Sequence, residues 1–124
     1  MDAFSEWSRQ AIIEARKRAK RKGNSCTIDR GFVLGLIQEA GGCCQLTGIP
    51  FDLSDCEHFR RPFAPSIDRI DSNRGYDPDN VRIVCVMLNL AMNQFGEDNF
   101  AKIAEAYIEK TRPPRTPAVR TATT

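Results

Sequence analysis

The sequence predicts an α+β fold: a short two-stranded antiparallel hairpin and a helix at the centre, with additional helices flanking both ends. Two observations carry this. Apolar residues recur at helical spacing towards both ends of the chain. Between them, two strand candidates are separated by a stretch dense in Asn, Gly, Asp and Pro, and a further helical pattern follows at once.

The first helix spans Ser5 to Lys22, with Trp7, Ala11, Ile12, Ala15 and Ala19 on one face and Gly23-Asn24 as the stop. In the second, Asp29 is the N-cap, Phe32, Val33, Leu36, Ile37 and Ala40 form the apolar face, and Gly41-Gly42 ends it. Cys44 to Phe51 reads as a tight turn, punctuated by Thr47-Gly48 and Pro50. Asp52 to Pro65 is polar and irregular, a loop containing Arg60-Arg61. Ser66 to Ile70 is the first strand, Asp71 to Asn80 a structured loop, and Val81 to Val84 the second strand. Cys85 to Phe95 is a helix closed by Gly96. The last helix runs from Glu97 to Lys110, with Phe100, Ile103, Ala104, Tyr107 and Ile108 on one face. The chain therefore divides into a basic N-terminal helix (1–24), a central unit (25–110) with its hairpin-and-helix core at about 64–96, and a basic Pro-rich tail (111–124) expected to be disordered.

At 124 residues the chain is long enough for one domain with a core that needs no disulfides. A net charge of +2 says little as a total, but its distribution says more. Arg9, Arg16, Lys17, Arg18, Lys20, Arg21 and Lys22 face only Asp2, Glu6 and Glu14 in the first segment, which suits a polyanionic partner. No apolar run approaches the ~20 residues a membrane span requires. With no hydrophobic signal core at the N-terminus, a cytoplasmic, intracellular protein is expected. In a reducing compartment the five cysteines read as buried thiols or metal ligands.

A phosphodiester makes definite demands if it is to be cut. Negative charge grows on the non-bridging oxygens and the leaving 3′ oxygen, so a divalent cation beside the phosphate helps. Magnesium or manganese accepts hard oxygen ligands, and magnesium keeps most of its waters, so one carboxylate and one amide oxygen can suffice. Asp68, ending a strand, and Asn89, on the following helix, offer that pair; Asn80 would brace the loop between them.

In order and spacing, Asp68-Arg69, Asn80 and Asn89 resemble the small metal-dependent DNA-cutting module called the HNH, ββα-metal or His-Me finger family. Ser66-Ile67-Asp68-Arg69-Ile70-Asp71, Gly75-Tyr76 and Asn80-Val81 look especially like a phage-associated branch reading Ser-Leu-Asp-Arg-Ile-Asp, then Gly-Tyr, then Asn-Val. The likeness covers roughly Cys43 to Lys110 and implies a nuclease domain of phage origin, with Asp68 and Asn89 on the cation and Asn80 in support.

Two departures matter. The family's general-base histidine is replaced by Arg69, which stays protonated and cannot take a proton from water. Arg69 can clamp a phosphate while hydroxide attacks; His58 or Tyr76 can serve as base; or the protein can bind DNA without cutting it. Many HNH proteins also carry two Cys-x-x-Cys pairs on zinc. Here Thr47 and Leu88 stand where cysteines would follow Cys44 and Cys85, and the irregular spacing of Cys43, Cys56 and His58 offers no ready substitute, so structural zinc is not expected. Met92 stands where the family often has Lys.

Phosphate contacts are expected from Arg16, Lys17, Arg18, Lys20, Arg21, Lys22, Arg60, Arg61, Arg74 and Arg82. The expected activity is a DNA endonuclease nicking one strand, with low intrinsic sequence specificity or specificity supplied by a protein partner. The alternative is a non-catalytic DNA-binding protein on a degenerate HNH scaffold. An adaptor role rests only on the last amphipathic helix.

Overall fold

The structure, a computed structural model, describes residues 2–54 and 61–112. Four helices, α1 (Asp2–Lys22), α2 (Arg30–Glu39), α3 (Val86–Met92) and α4 (Gly96–Thr111), surround one hairpin of β1 (Pro65–Arg69) and β2 (Val81–Cys85). The fold class is the α+β arrangement expected.

The hairpin is antiparallel, pairing Ser66 with Val84, Ile67 with Ile83, Asp68 with Arg82 and Arg69 with Val81. Alternation then sorts side chains onto two faces. Ile67, Val81 and Ile83 face α1 and α2 and join Trp7, Ile12, Ala15, Ala19, Ile28, Val33, Ile37 and Tyr76 in the larger core. Val84 faces the other way and packs with Cys44, Cys85, Leu88 and Met92 in a smaller core. Each face of so short a hairpin needs its own helical cover, because a two-stranded ribbon is marginal in water by itself. The N-terminal helix covers the hairpin through Trp7, Ile12, Ala15 and Ala19.

Local chemistry explains the boundaries. The Asp29 side chain accepts a hydrogen bond from the Phe32 N–H at 2.8 Å and caps α2. After Ala40, Gly41 and Gly42 take positive φ and turn the chain away. α3 stops at Met92 rather than Phe95 because Asn93 adopts φ 43°, outside helical geometry. The outer edge of β2 is closed by one residue: the Gln45 N–H donates to the Ile83 carbonyl at 3.0 Å, and the Ile83 N–H donates back to Gln45 Oε1.

The loop between the strands is stitched to the segment before α2. The Tyr76 N–H donates to the Ser25 carbonyl at 2.9 Å, and the Thr27 N–H donates to the Tyr76 carbonyl at 3.0 Å. The Ser25 and Thr27 hydroxyls donate to the Asp77 carboxylate at 2.7 and 2.8 Å. Gly75 passes so close to Ser25 that any Cβ there would collide with its backbone.

The apolar face expected on α4 is only partly covered. Phe100 packs on the smaller core, while Ile103, Tyr107 and Ile108 stay 69%, 62% and 51% exposed. Among the described residues no helix is long and apolar enough to cross a membrane. The tail from residue 113, whose disorder the composition suggested, lies outside the described residues.

Candidate active site

A cleft of about 750 Å³ runs along the open edge of β1, with α1 as one wall and α3 as the other. β1 contributes Ser66, Ile67 and Arg69, the loop contributes Tyr76, and α3 contributes Asn89 and Asn93. From α1 come Gln10, Glu14, Arg18 and Lys22, a polar stripe at four-residue spacing beside the buried Trp7 and Ala15 and the half-buried Ala11.

Asn89 is held in one orientation. Its Nδ2 donates to Ser66 Oγ at 2.6 Å and to the Ile67 carbonyl at 3.4 Å. Both partners are acceptors towards that amide, so the Asn89 carbonyl oxygen is the end left over. This side-chain oxygen, Oδ1, has no protein donor among the described residues, whereas the Asn89 backbone carbonyl accepts from the Asn93 N–H at 2.9 Å.

Asp68 lies on the same hairpin face as Ser66, two residues along, and is 5% exposed. Its Oδ2 accepts from Arg82 Nε at 2.7 Å, and Arg82 Nη1 continues to Glu97 Oε1 at 2.9 Å. Burial pushes the Asp68 carboxyl above the usual carboxylate range, with the hydrogen bond and charge of Arg82 opposing that rise. Its Oδ1 has no protein donor among the described residues. Asp68 thus lies on the hairpin face whose Ser66 accepts from Asn89. Among the described residues no group of three or more His, Cys, Asp or Glu side chains could hold a metal.

Arg82 corrects one expectation. Read from the sequence as a phosphate contact, it is instead committed to two carboxylates across the strand pair, with a side chain only 15% exposed.

Arg69 points to the opposite face, into the cleft. Its guanidinium lies 5.1 Å from the centroid of the Tyr76 ring, and its Nη1 donates to the Arg74 carbonyl at 3.2 Å. Arg18 Nη1 reaches over from α1 and donates to the Tyr76 hydroxyl at 3.1 Å. Two guanidinium groups thus converge on one buried phenol. The sequence names Arg18 as a phosphate contact within a run of six basic residues, but nothing in that run singles it out as the one beside Tyr76 and Arg69.

Asn80 braces the loop from inside and does not line the cleft. Its Nδ2 donates to the Asp71 and Gly75 carbonyls at 3.0 and 2.8 Å, and its Oδ1 accepts from the Asp71 N–H at 2.9 Å. Of the other basic candidates, Arg16, Lys17, Lys20, Arg21 and Lys22 are exposed on α1. Arg61 is paired with Asp52 at 3.3 Å, and Arg74 with Asp79 at 2.8 Å. His58, Cys56 and Arg60 lie outside the described residues.

The zinc-type positions do come together. Cys44, Cys85 and Leu88 share the smaller core, and the Thr47 side chain bonds to Cys44. Burial raises the Cys44 thiol, but bonds from Thr47 and from nearby backbone N–H groups more than offset it. Burial and the neighbouring Cys44 push Cys85 up.

Among solved structures, the chain is similar to the rare-cutting HNH restriction endonuclease PacI, at 20% identity and a TM-score of 0.57. The match covers 83% of this chain and 78% of that one. The fold is HNH-like. Neither a protein-family model nor a curated protein matches the chain.

Proposed function

We propose that this chain is a metal-dependent DNA endonuclease that hydrolyses a phosphodiester and nicks one strand, with low intrinsic sequence specificity. One observation carries the reading: on an HNH-like fold, Asp68 and Asn89 share the hairpin face covered by α3, each with an oxygen free of protein donors. These two residues would hold magnesium or manganese, which when bound supplies positive charge to the phosphate oxygens. Asn80 acts at one remove, by fixing the loop through which β1 passes into β2.

Arg69 clamps the phosphate. Tyr76 and the Arg74 carbonyl fix its guanidinium, and its remaining N–H groups have no protein acceptor among the described residues. Arg18 and Lys22 extend the positive wall, and Arg16, Lys17, Lys20 and Arg21 contact flanking phosphates. Such contacts carry no base information, hence the low specificity; a protein partner would add what they lack.

The second reading, a DNA-binding protein that no longer cuts, is favoured by Arg82, whose guanidinium already supplies a cation to Asp68 at 2.7 Å. Nicking of supercoiled plasmid by wild type and Asp68→Ala, with magnesium, manganese or EDTA, separates the two. Metal-dependent nicking lost in Asp68→Ala supports the nuclease. Binding by both proteins with no cleavage under any metal supports the second reading.

A further inference from the structure

The cleft contains three cations, Arg18, Lys22 and Arg69, but among its lining residues only one carboxylate, Glu14. On a helix, Glu14 would ordinarily pair with Arg18 four residues on. Here Arg18 is drawn away to the Tyr76 hydroxyl, and no ion pair joins the two. The Glu14 side chain instead takes one neutral hydrogen bond, from Gln10 Nε2 to its Oε2 at 3.1 Å. Its Oε1 has no protein donor among the described residues.

We infer that Glu14 is the general base of strand cleavage, accepting at Oε1 the proton of the attacking water. The other groups on these walls cannot take that task. Arg18 and Arg69 are permanently charged. Tyr76 is 2% exposed, and its hydroxyl already accepts from Arg18 Nη1. Asn89 and Asn93 are amides with no basic site. A carboxylate on a wall facing Arg69 supplies the acceptor that the hairpin itself lacks.

The step balances without a further reactant. The water oxygen forms a bond to phosphorus, its proton passes to Glu14 Oε1, and the bond from phosphorus to the 3′ oxygen breaks. The leaving oxygen takes a proton from solvent, and Glu14 returns its own to solvent. Arg69 and Lys22 line the same cleft as Glu14, and Gln10 Nε2 donates to Glu14 Oε2.

This inference rests on the nuclease reading, and its test keeps the two failures apart. Single-turnover nicking would be measured across pH for wild type, Glu14→Gln and Glu14→Asp, with DNA binding followed by fluorescence anisotropy and folding by thermal melting. Glu14→Gln should cleave about a hundredfold or more slower, the usual contribution of a general base, while binding DNA and melting like wild type. The wild-type rate should fall on the acid side along a limb that Glu14→Gln lacks. Glu14→Asp should keep that limb at a reduced rate. The charged and titratable groups lining the cleft with Glu14 are Arg18 and Lys22 from α1, Arg69 from β1 and Tyr76 from the loop, all of which change charge on the alkaline side, so an acid limb unchanged in Glu14→Gln belongs to the carboxyls around Arg82, Asp68 and Glu97, and overturns the assignment. Glu14→Gln nicking at the wild-type rate overturns it too, and leaves the nuclease standing. A wild type that binds plasmid and never cuts overturns both.

Discussion

Single side chains hold this site together, and Asn80 is the clearest case. It is 1% exposed and satisfies two carbonyls and one N–H of the loop. Asn80→Ala strands those groups in the interior and should cost about 2–3 kcal/mol, since a buried polar group without its partner costs roughly 1–3 kcal/mol. Urea unfolding at constant m value would read it. Asp77 gives a dependence on pH. The Ser25 and Thr27 hydroxyls hold its carboxyl below the usual range. A carboxyl with a depressed folded value stabilises the fold above its unfolded titration and loses that contribution as pH falls through the folded one. Melting temperature should therefore drop on acidification below the ordinary carboxylate range, and Asp77→Asn should flatten part of that drop. At this scale the sequence was only partly readable. Asn80 as a brace followed from its place beside a turn. The Arg82–Asp68 pair depends on cross-strand register, which required knowing where pairing resumes after the eleven residues between Arg69 and Val81.

Among the elements, α1 contributes most beyond what its local pattern discloses. Its period showed an apolar face, but no local signal says that the face would cover the hairpin and leave a cleft beside it. Trp7 is 4% exposed in the larger core. Trp7→Ala should destabilise the fold by about 3–5 kcal/mol, the cost typical of emptying an aromatic site, as read by chemical denaturation. The hairpin and α3 were legible for the opposite reason, because turn residues and strand ends are chemistry that neighbours in sequence decide. α4 is intermediate. Periodicity identified it as amphipathic, and nothing in periodicity determines that Ile103, Tyr107 and Ile108 remain uncovered. Gly75→Ala tests the seam between the loop and residue 25. A Cβ forced into the Ser25 backbone should cost about 1–3 kcal/mol, as overpacking does, and lower the melting temperature.

For the molecule as a whole, a polyanion would be met by charge distribution rather than by net charge, which is only +2. If Lys22 contacts a phosphate, Lys22→Ala should weaken binding to all DNA sequences alike and reduce the salt slope by about 1. Titrations by anisotropy at several salt concentrations would show it. A hairpin of two strands also has two outer edges, and unpaired edges invite strands from other molecules. Gln45 occupies the β2 edge with its own backbone and side-chain amide, as a third strand would. β1 begins at Pro65, which has no N–H to offer, and Asn89 takes the Ile67 carbonyl. A protein assembled this way can keep a long groove open beside its sheet without that sheet becoming a template for aggregation.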